Sequence, residues 1–230
     1  MNPSGRLFLF FLFIGLLTDS VCLQAQTSKT HLIDSREAKD ILSDSLKTVY
    51  NLKEPQIKIY AYSDKSGNYL TILNEQKGIY TLGKNDTTNV KATAVNLKSE
   101  SGKLSKTWTL EKEVLPDFVV GVQDIHFLNE QLEFSDLNND SLVEPILVYQ
   151  TFTERTLSII YKNQIVSIAH QFKGYDFNTL NIDTAFYALP SEIIIYLQSK
   201  LHLLELSTQN ALPKGWEKGM KKQKTLIRAR

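Results

Sequence analysis

Asp136, Asn138, Asp140 and Glu144 stand at the first, third, fifth and ninth places of one short stretch, Asp136-Leu137-Asn138-Asn139-Asp140-Ser141-Leu142-Val143-Glu144. A hard cation such as Ca²⁺ takes several oxygen ligands on a small sphere. Alternate residues of a tightly curved loop place their side chains on one inner side. The backbone carbonyl of Leu142, at the seventh place, can turn inward, and the Glu144 carboxylate can close the sphere. These residue types at this spacing point to a Ca²⁺ site of Asp136, Asn138, Asp140, Leu142 and Glu144, with a Kd of order 10⁻⁴ to 10⁻³ M. The same residues also suit a tight turn whose Asp and Asn side chains accept hydrogen bonds from the loop's own backbone.

Other chemistry is sparse. Asp124 and His126 share one face of an expected strand, where a carboxylate can orient an imidazole; such a pair is more often a plain surface pair. His31, His170 and His202 are isolated, and no His pair has metal-ligand spacing. There is no Gly-x-Ser-x-Gly elbow, no His-Glu-x-x-His, no P-loop and no Gly-x-Gly-x-x-Gly. Glycoside hydrolysis stays open, because its two carboxylates need no local motif. The net charge of +1 argues against a nucleic-acid binder, which carries a basic field. Tyr60, Tyr62, Tyr69 and Tyr80 are expected either to pack against the helices or to form an exposed aromatic platform.

The elements around the loop read as follows. Asp34, with Glu37 three places on, resembles a helix start, and Ala38, Ile41, Leu42, Leu46 and Val49 continue at helical spacing. One amphipathic helix is expected over about Ser35 to Asn51. The period then switches to two. Ile57 to Ala61 and Tyr69 to Leu73 flank a turn at Ser63 to Asn68; Ile79 to Leu82 is a further short strand. Val90 to Leu97 pairs with Leu104 to Val114, which carries Trp108, and Val119 to Phe127 with Gln131 to Phe134. Pro145 to Gln150, Thr156 to Tyr161 and Ile165 to His170 follow, joined by short polar turns. Successive short strands with no long helix between them predict an antiparallel meander. Gly174 to Ala188 reads as a connector. Pro190 suits a first helical position, and Ile193, Ile194, Leu197, Leu201 and Leu204 run at helical spacing to about Ser207.

The two ends carry the localisation. Arg6 followed by the apolar run Leu7 to Leu17 and by Leu23-Gln24-Ala25 reads as a signal peptide over residues 1–25. Cys22, the one cysteine, offers a lipoprotein signal instead, but Val21 and Asp19 fit that pattern poorly. Export to the periplasm or cell surface is the expectation, with one domain over 26–212. From Pro213 the chain is basic: Lys214, Lys218, Lys221, Lys222, Lys224, Arg228 and Arg230 stand against Glu217 alone. Residues 213–230 read as a solvated tail. Attraction to an anionic surface, helped by Trp216 and Met220, is the functional alternative.

Two resemblances follow from these residues. The loop resembles the strand–loop–strand Ca²⁺ loops of FG-GAP blades more than an EF-hand: Ser141 and Leu147 stand where an EF-hand has Gly and a bidentate Glu. No repeat supports a propeller. Leu132 to Asp140, Glu144, Leu147-Val148-Tyr149 and Leu157 to Tyr161, between a leading and a closing helix, resemble an exported Bacteroidota family labelled surface polysaccharide biosynthesis protein. That resemblance covers Ile57 to Leu204 and implies a cell-envelope role. The fold expected is α+β: an N-terminal helix, a meandering, mainly antiparallel sheet and a C-terminal helix. The function expected is non-catalytic, an accessory or binding role toward envelope polysaccharide or a protein partner. A carbohydrate-active hydrolase and a scaffold without ligand are the alternatives.

Overall fold

The computed structural model describes residues 30–52, 56–80, 86–101, 103–114, 124–172, 178–208 and 210–229. The signal-peptide reading and Cys22 lie outside them. Strand β1 (His31–Leu32) leads into helices α1 (Ser35–Ile41) and α2 (Asp44–Val49). The single helix expected over Ser35 to Asn51 is therefore two. Asp34 caps the first, accepting from the Arg36 and Glu37 N–H groups at 2.8 and 2.9 Å. Ser43 then accepts from the Leu46 N–H and starts a second helix in mid-run. A hydroxyl that satisfies an orphan backbone donor makes that break cheap.

Strands β2 (Gln56–Asp64), β3 (Gly67–Tyr80), β4 (Asp86–Glu100) and β5 (Lys103–Glu113) join β1 in an antiparallel sheet of order β1-β2-β3-β4-β5. Two of the short strands expected, Tyr69 to Leu73 and Ile79 to Leu82, meet in one long strand, β3, which takes in Ile79 and Tyr80; Thr81 and Leu82 lie outside the described residues. Asn74 and Gln76 mask it in sequence. Both are buried polar residues, and Gln76 Nε2 donates to the Asn51 carbonyl.

The second sheet holds β6 (His126–Phe127), β7 (Glu133–Ser135), β8 (Glu144–Gln150), β9 (Glu154–Tyr161), β10 (Gln164–Gln171), β11 (Thr179–Ile182) and β12 (Leu226–Arg228). Its order is β12-β11-β10-β9-β8-β6, with β7 also on β8. The expected pairing of Val119 to Phe127 with Gln131 to Phe134 is not formed among the described residues. β6 and β7 each pair with β8 instead. β11 arises in the stretch read as a connector. Helix α3 (Ser191–Thr208) follows, with Pro190 just ahead of it, its carbonyl accepting from the Ile194 N–H. The stretch from Pro213 is not a loose tail. It forms α4 (Trp216–Lys221) and β12, and it buries Trp216, Met220 and Ile227.

Strand periodicity sets the layers, because successive side chains point to opposite faces. On β8, Ile146 and Val148 face α3 and α4 together with Leu157, Ile159, Val166, Ile168, Leu180 and Ile182. Their neighbours Leu147 and Tyr149 face the first sheet, against Leu73, Ala92, Ala94, Trp108 and Leu110. On the far side of the first sheet, Ile59, Ile72, Val95 and Leu97 pack under Ile33, Leu42 and Leu52. The α+β fold is thus four layers: short helices, sheet, sheet, long helix. The meander is split into two stacked sheets, each covered by its own helices.

Candidate binding cleft between the sheets

The stretch Asp136 to Val143 joins β7 to β8, and its oxygens turn onto its own backbone. Asp136 accepts from the Asp140 N–H (Oδ1, 3.0 Å) and the Ser141 N–H (Oδ2, 2.8 Å). Asn138 Oδ1 also accepts from the Asp140 N–H, and Asp140 Oδ1 accepts from the Leu142 N–H at 2.8 Å. Asn138 Nδ2 donates to Asp140 Oδ2. Each is a side chain closing a turn over two to five residues, the habit of Asp and Asn in tight loops. Asn139 and Ser141 hold left-handed φ values of 58° and 66°. Ser141 thus occupies a position where Gly is the relaxed choice.

Glu144 begins β8 and is 2% exposed. Its Oε2 accepts from the Leu137 N–H at 2.8 Å. Burial pushes its carboxyl up to about 7; the Leu137 hydrogen bond opposes this, and Asp140, Asp136 and Asp64 add to it. The five residues expected to hold Ca²⁺ are therefore brought together in the loop and the first residue of β8, with the side-chain oxygens of Asp136, Asn138, Asp140 and Glu144 directed at N–H donors. Among the described residues, no group of three or more His, Cys, Asp or Glu side chains is placed to hold a metal ion.

The β2–β3 turn seats on this loop. Asp64 Oδ2 accepts from the Val143 N–H at 3.2 Å, and the Lys65 N–H donates to the Ser141 carbonyl at 3.1 Å. Lys65 Nζ donates to the Asp140 carbonyl. Asp64 Oδ1 also accepts from the Ser66 N–H at 2.7 Å, which fixes its own turn. The acidic loop thereby clips the end of one sheet to the other.

Beside that clip the sheets diverge and leave a cleft of about 330 Å³. Its first-sheet wall is Tyr62, Tyr69 and Trp108; Ile160 faces them from the second, and Tyr161, whose side chain packs on the helix side, borders the rim. Tyr62 and Tyr69 stack at 5.0 Å with planes 12° apart, and Tyr62 also packs on Phe134 at 5.2 Å. A polar network crosses the first sheet here: Asn96 Oδ1 accepts from Thr71 Oγ1 at 2.7 Å and Tyr62 Oη at 3.3 Å, and its Nδ2 donates to Thr107 Oγ1 at 2.7 Å. Burial holds the Tyr62 phenol well above its ordinary range. Asp64, Glu144 and Pro145 line the acidic-loop end, and Lys98 one side, where it pairs with Glu100 at 2.5 Å.

The β9–β10 turn closes the mouth. Lys162 and Asn163 have φ values of 50° and 63°, the left-handed pair that a two-residue hairpin turn requires. Lys at such a position is strained where Asn or Gly would be relaxed. Its Nζ lies 5.0 Å from the centre of the Tyr161 ring.

The Tyr residues are thus placed differently from either expectation. Tyr60 and Tyr62 meet Phe134 between the sheets, and Tyr69 borders the cleft; Ile57, Ile59 and Ala61 take the helix-facing side. The side chain of Tyr80 lies outside the described residues. Asp124 and His126 approach to 3.6 Å, but Asp124 Oδ1 accepts from Thr88 Oγ1 and the Asn89 N–H, a structural tie to β4. The cleft escaped the sequence reading because its residues come from five separate stretches. The one local sign was the Tyr-rich hairpin. No protein-family model, no curated protein and no solved structure matches the chain.

Proposed function

We propose that the chain is a non-catalytic binding protein of the cell envelope, and that the inter-sheet cleft takes a short stretch of polysaccharide. A sugar presents apolar C–H faces and a dense set of hydroxyls. It is held where aromatic rings and planar or hydroxyl hydrogen-bonding groups converge in a concave site. The observation that carries the reading is this convergence: Tyr62, Tyr69 and Trp108 with Asp64, Thr107 and Asn163 around one cleft of about 330 Å³.

The test is a panel of neutral and acidic oligosaccharides titrated against the full chain, followed by tryptophan emission. Tyr69→Ala and Asn163→Gly, the latter keeping the left-handed turn relaxed, should each weaken binding about tenfold, with Tm little changed for Asn163→Gly. Silence across the panel, with clean capture of one protein from envelope extract, would replace the reading with the scaffold alternative.

A hydrolase is the second reading, favoured by one observation. Asp64 and Glu144 line the same cleft, and the Glu144 carboxyl is pushed to about 7, the pattern of a general acid beside a second carboxylate. Against it, both carboxylates already hold backbone N–H groups of the loops, and Glu144 is nearly fully buried. Release of reducing ends that is abolished in Glu144→Gln would reverse the order of the two readings.

Calcium belongs with the binding reading. Asp136, Asn138, Asp140 and Glu144 would have to exchange backbone N–H partners for the ion, joined by the Leu142 carbonyl, which is consistent with weak affinity. If Tm is the same in EDTA and in millimolar Ca²⁺, the loop is a turn and nothing more.

A further inference from the structure

We propose that the outer face of α3, together with α4, rests on an anionic lipid surface. Helix α3 buries Ile193, Leu197, Leu201 and Leu204 against the second sheet. Its opposite side carries Ile195, Leu203 and Leu206, which are 63%, 62% and 81% exposed. With Ser199 and His202 these positions fall at helical spacing on the solvent side of one helix. Exposed aliphatic side chains grouped on a helix are unusual on a soluble surface and mark contact with something apolar.

Basic residues flank this face, on an element that is held in place. Trp216 and Met220 anchor α4 in the core under α3. His202 Nε2 meets Glu217 Oε1 at 2.8 Å, and the His202 ring lies 4.8 Å from Trp216. Glu217 and Lys221, four residues apart, therefore share the flank of α4 nearest α3. Lys214, Lys218, Lys221, Lys222, Lys224 and Arg228 are all exposed. The acids nearby are Glu192, exposed at the start of the same α3 face, and Glu217 and Glu205, of which Glu205 is engaged with the Leu212 N–H. A fixed cationic flank beside exposed leucines matches a surface with phosphate outside and acyl chains beneath. It matches a soluble polyanion or a second copy of the chain less well. The first has no apolar layer for Leu203 and Leu206, and the second would bring like charges together. This face lies across the second sheet from the cleft, so docking leaves the cleft open; the inference does not rest on the cleft's ligand.

The test uses the full chain and sedimentation with vesicles of phosphatidylcholine alone or with phosphatidylglycerol at three parts in ten. Sedimentation should need the anionic lipid and fall as salt rises. Leu203→Glu/Leu206→Glu and, separately, Lys218→Glu/Lys221→Glu/Lys222→Glu should each reduce the bound fraction about tenfold at unchanged Tm. Every variant keeps the same N-terminal segment, so the differences report on this face alone. The proposal is overturned if both variants sediment like the parent, or if binding is equal on both vesicles. It is also overturned if the lysine variant alone loses binding while heparin binds the parent and the leucine variant equally, which would assign the face to a soluble polyanion. Dimerisation broken by Leu206→Glu without vesicle binding would assign it to a second copy.

Discussion

At the scale of single residues, the acidic loop holds opposing tendencies that two substitutions separate. Ser141 sits at φ 66° with its N–H donated to Asp136, a bond that Gly also makes. Ser141→Gly should therefore stabilise the protein by about 0.5–1 kcal/mol, read as a rise in Tm. A fall would mean that the hydroxyl, not the backbone, matters there. Glu144 is the second case. Its folded carboxyl is raised from 4.5 to about 7, so its stabilising share is complete below pH 4.5 and is lost as pH rises through 7. Above pH 7 a carboxylate is held among Asp140, Asp136 and Asp64. Glu144→Gln can still accept from Leu137 and removes that charge. It should be near neutral at pH 4 and stabilising by ~1–3 kcal/mol at pH 8. Thermal melts of both proteins across that range decide it; a Gln variant less stable at pH 8 sinks the argument. What the spacing of Asp136, Asn138, Asp140 and Glu144 made legible was a loop of converging oxygens. What it left open was whether those oxygens face an ion or the chain's own N–H groups, because both uses ask for the same residues at the same places.

At the scale of elements, α3 is tied to the sheet by a polar bracket as well as by its apolar face. Glu133 on β7 accepts from Tyr196 Oη at 2.5 and 2.6 Å, from Lys200 Nζ at 2.9 Å and from Ser135 Oγ at 3.0 Å. Burial alone would raise its carboxyl; the bonds from Tyr196, Lys200 and Ser135 outweigh it and leave the group below its ordinary value. The sign is opposite to that of Glu144. The stabilisation is present above pH 4.5 and is lost as pH falls through the lowered folded value. Glu133→Gln should cost about 1–2 kcal/mol at pH 7, allowing for solvent screening of a half-buried group, and much less at pH 3. Equal destabilisation at both pH values would assign the cost to packing. None of this bracket was legible in sequence, since Glu133 and Lys200 are 67 residues apart. The elements themselves were largely legible. The Asp34 cap, the period of two along β2, the apolar runs of β8 to β10 between short polar turns and the period of α3 are local signals with local causes. The failures were equally local. Ser43 capped a new helix where apolar spacing ran on unbroken, and buried Asn74 and Gln76 disguised β3 as two strands.

At the scale of the whole molecule, the division of the meander into two stacked sheets was hidden for a physical reason. A strand that is covered on both faces loses its alternation of apolar and polar residues. β8 is buried from Glu144 to Tyr149, so its sequence reports depth and not which layer each side chain joins. The two tryptophans make the layering measurable. Trp108 belongs to the layer between the sheets, and Trp216 to the layer beneath α3. Ile146 and Leu147 are adjacent and both 0% exposed, yet they face opposite layers. Ile146→Ala and Leu147→Ala should cost similar amounts, about 2–4 kcal/mol each, because the deleted volume and burial are alike. Their local reach should differ. In single-tryptophan proteins made with Trp108→Phe or Trp216→Phe, Leu147→Ala should shift emission and raise iodide quenching of Trp108 while leaving Trp216 unchanged. Ile146→Ala should do the reverse. If both substitutions disturbed the same tryptophan equally, the apolar core would be continuous across the second sheet. A ligand in the cleft, felt by Trp108, could then not be kept apart from a surface bound at α3, felt by Trp216.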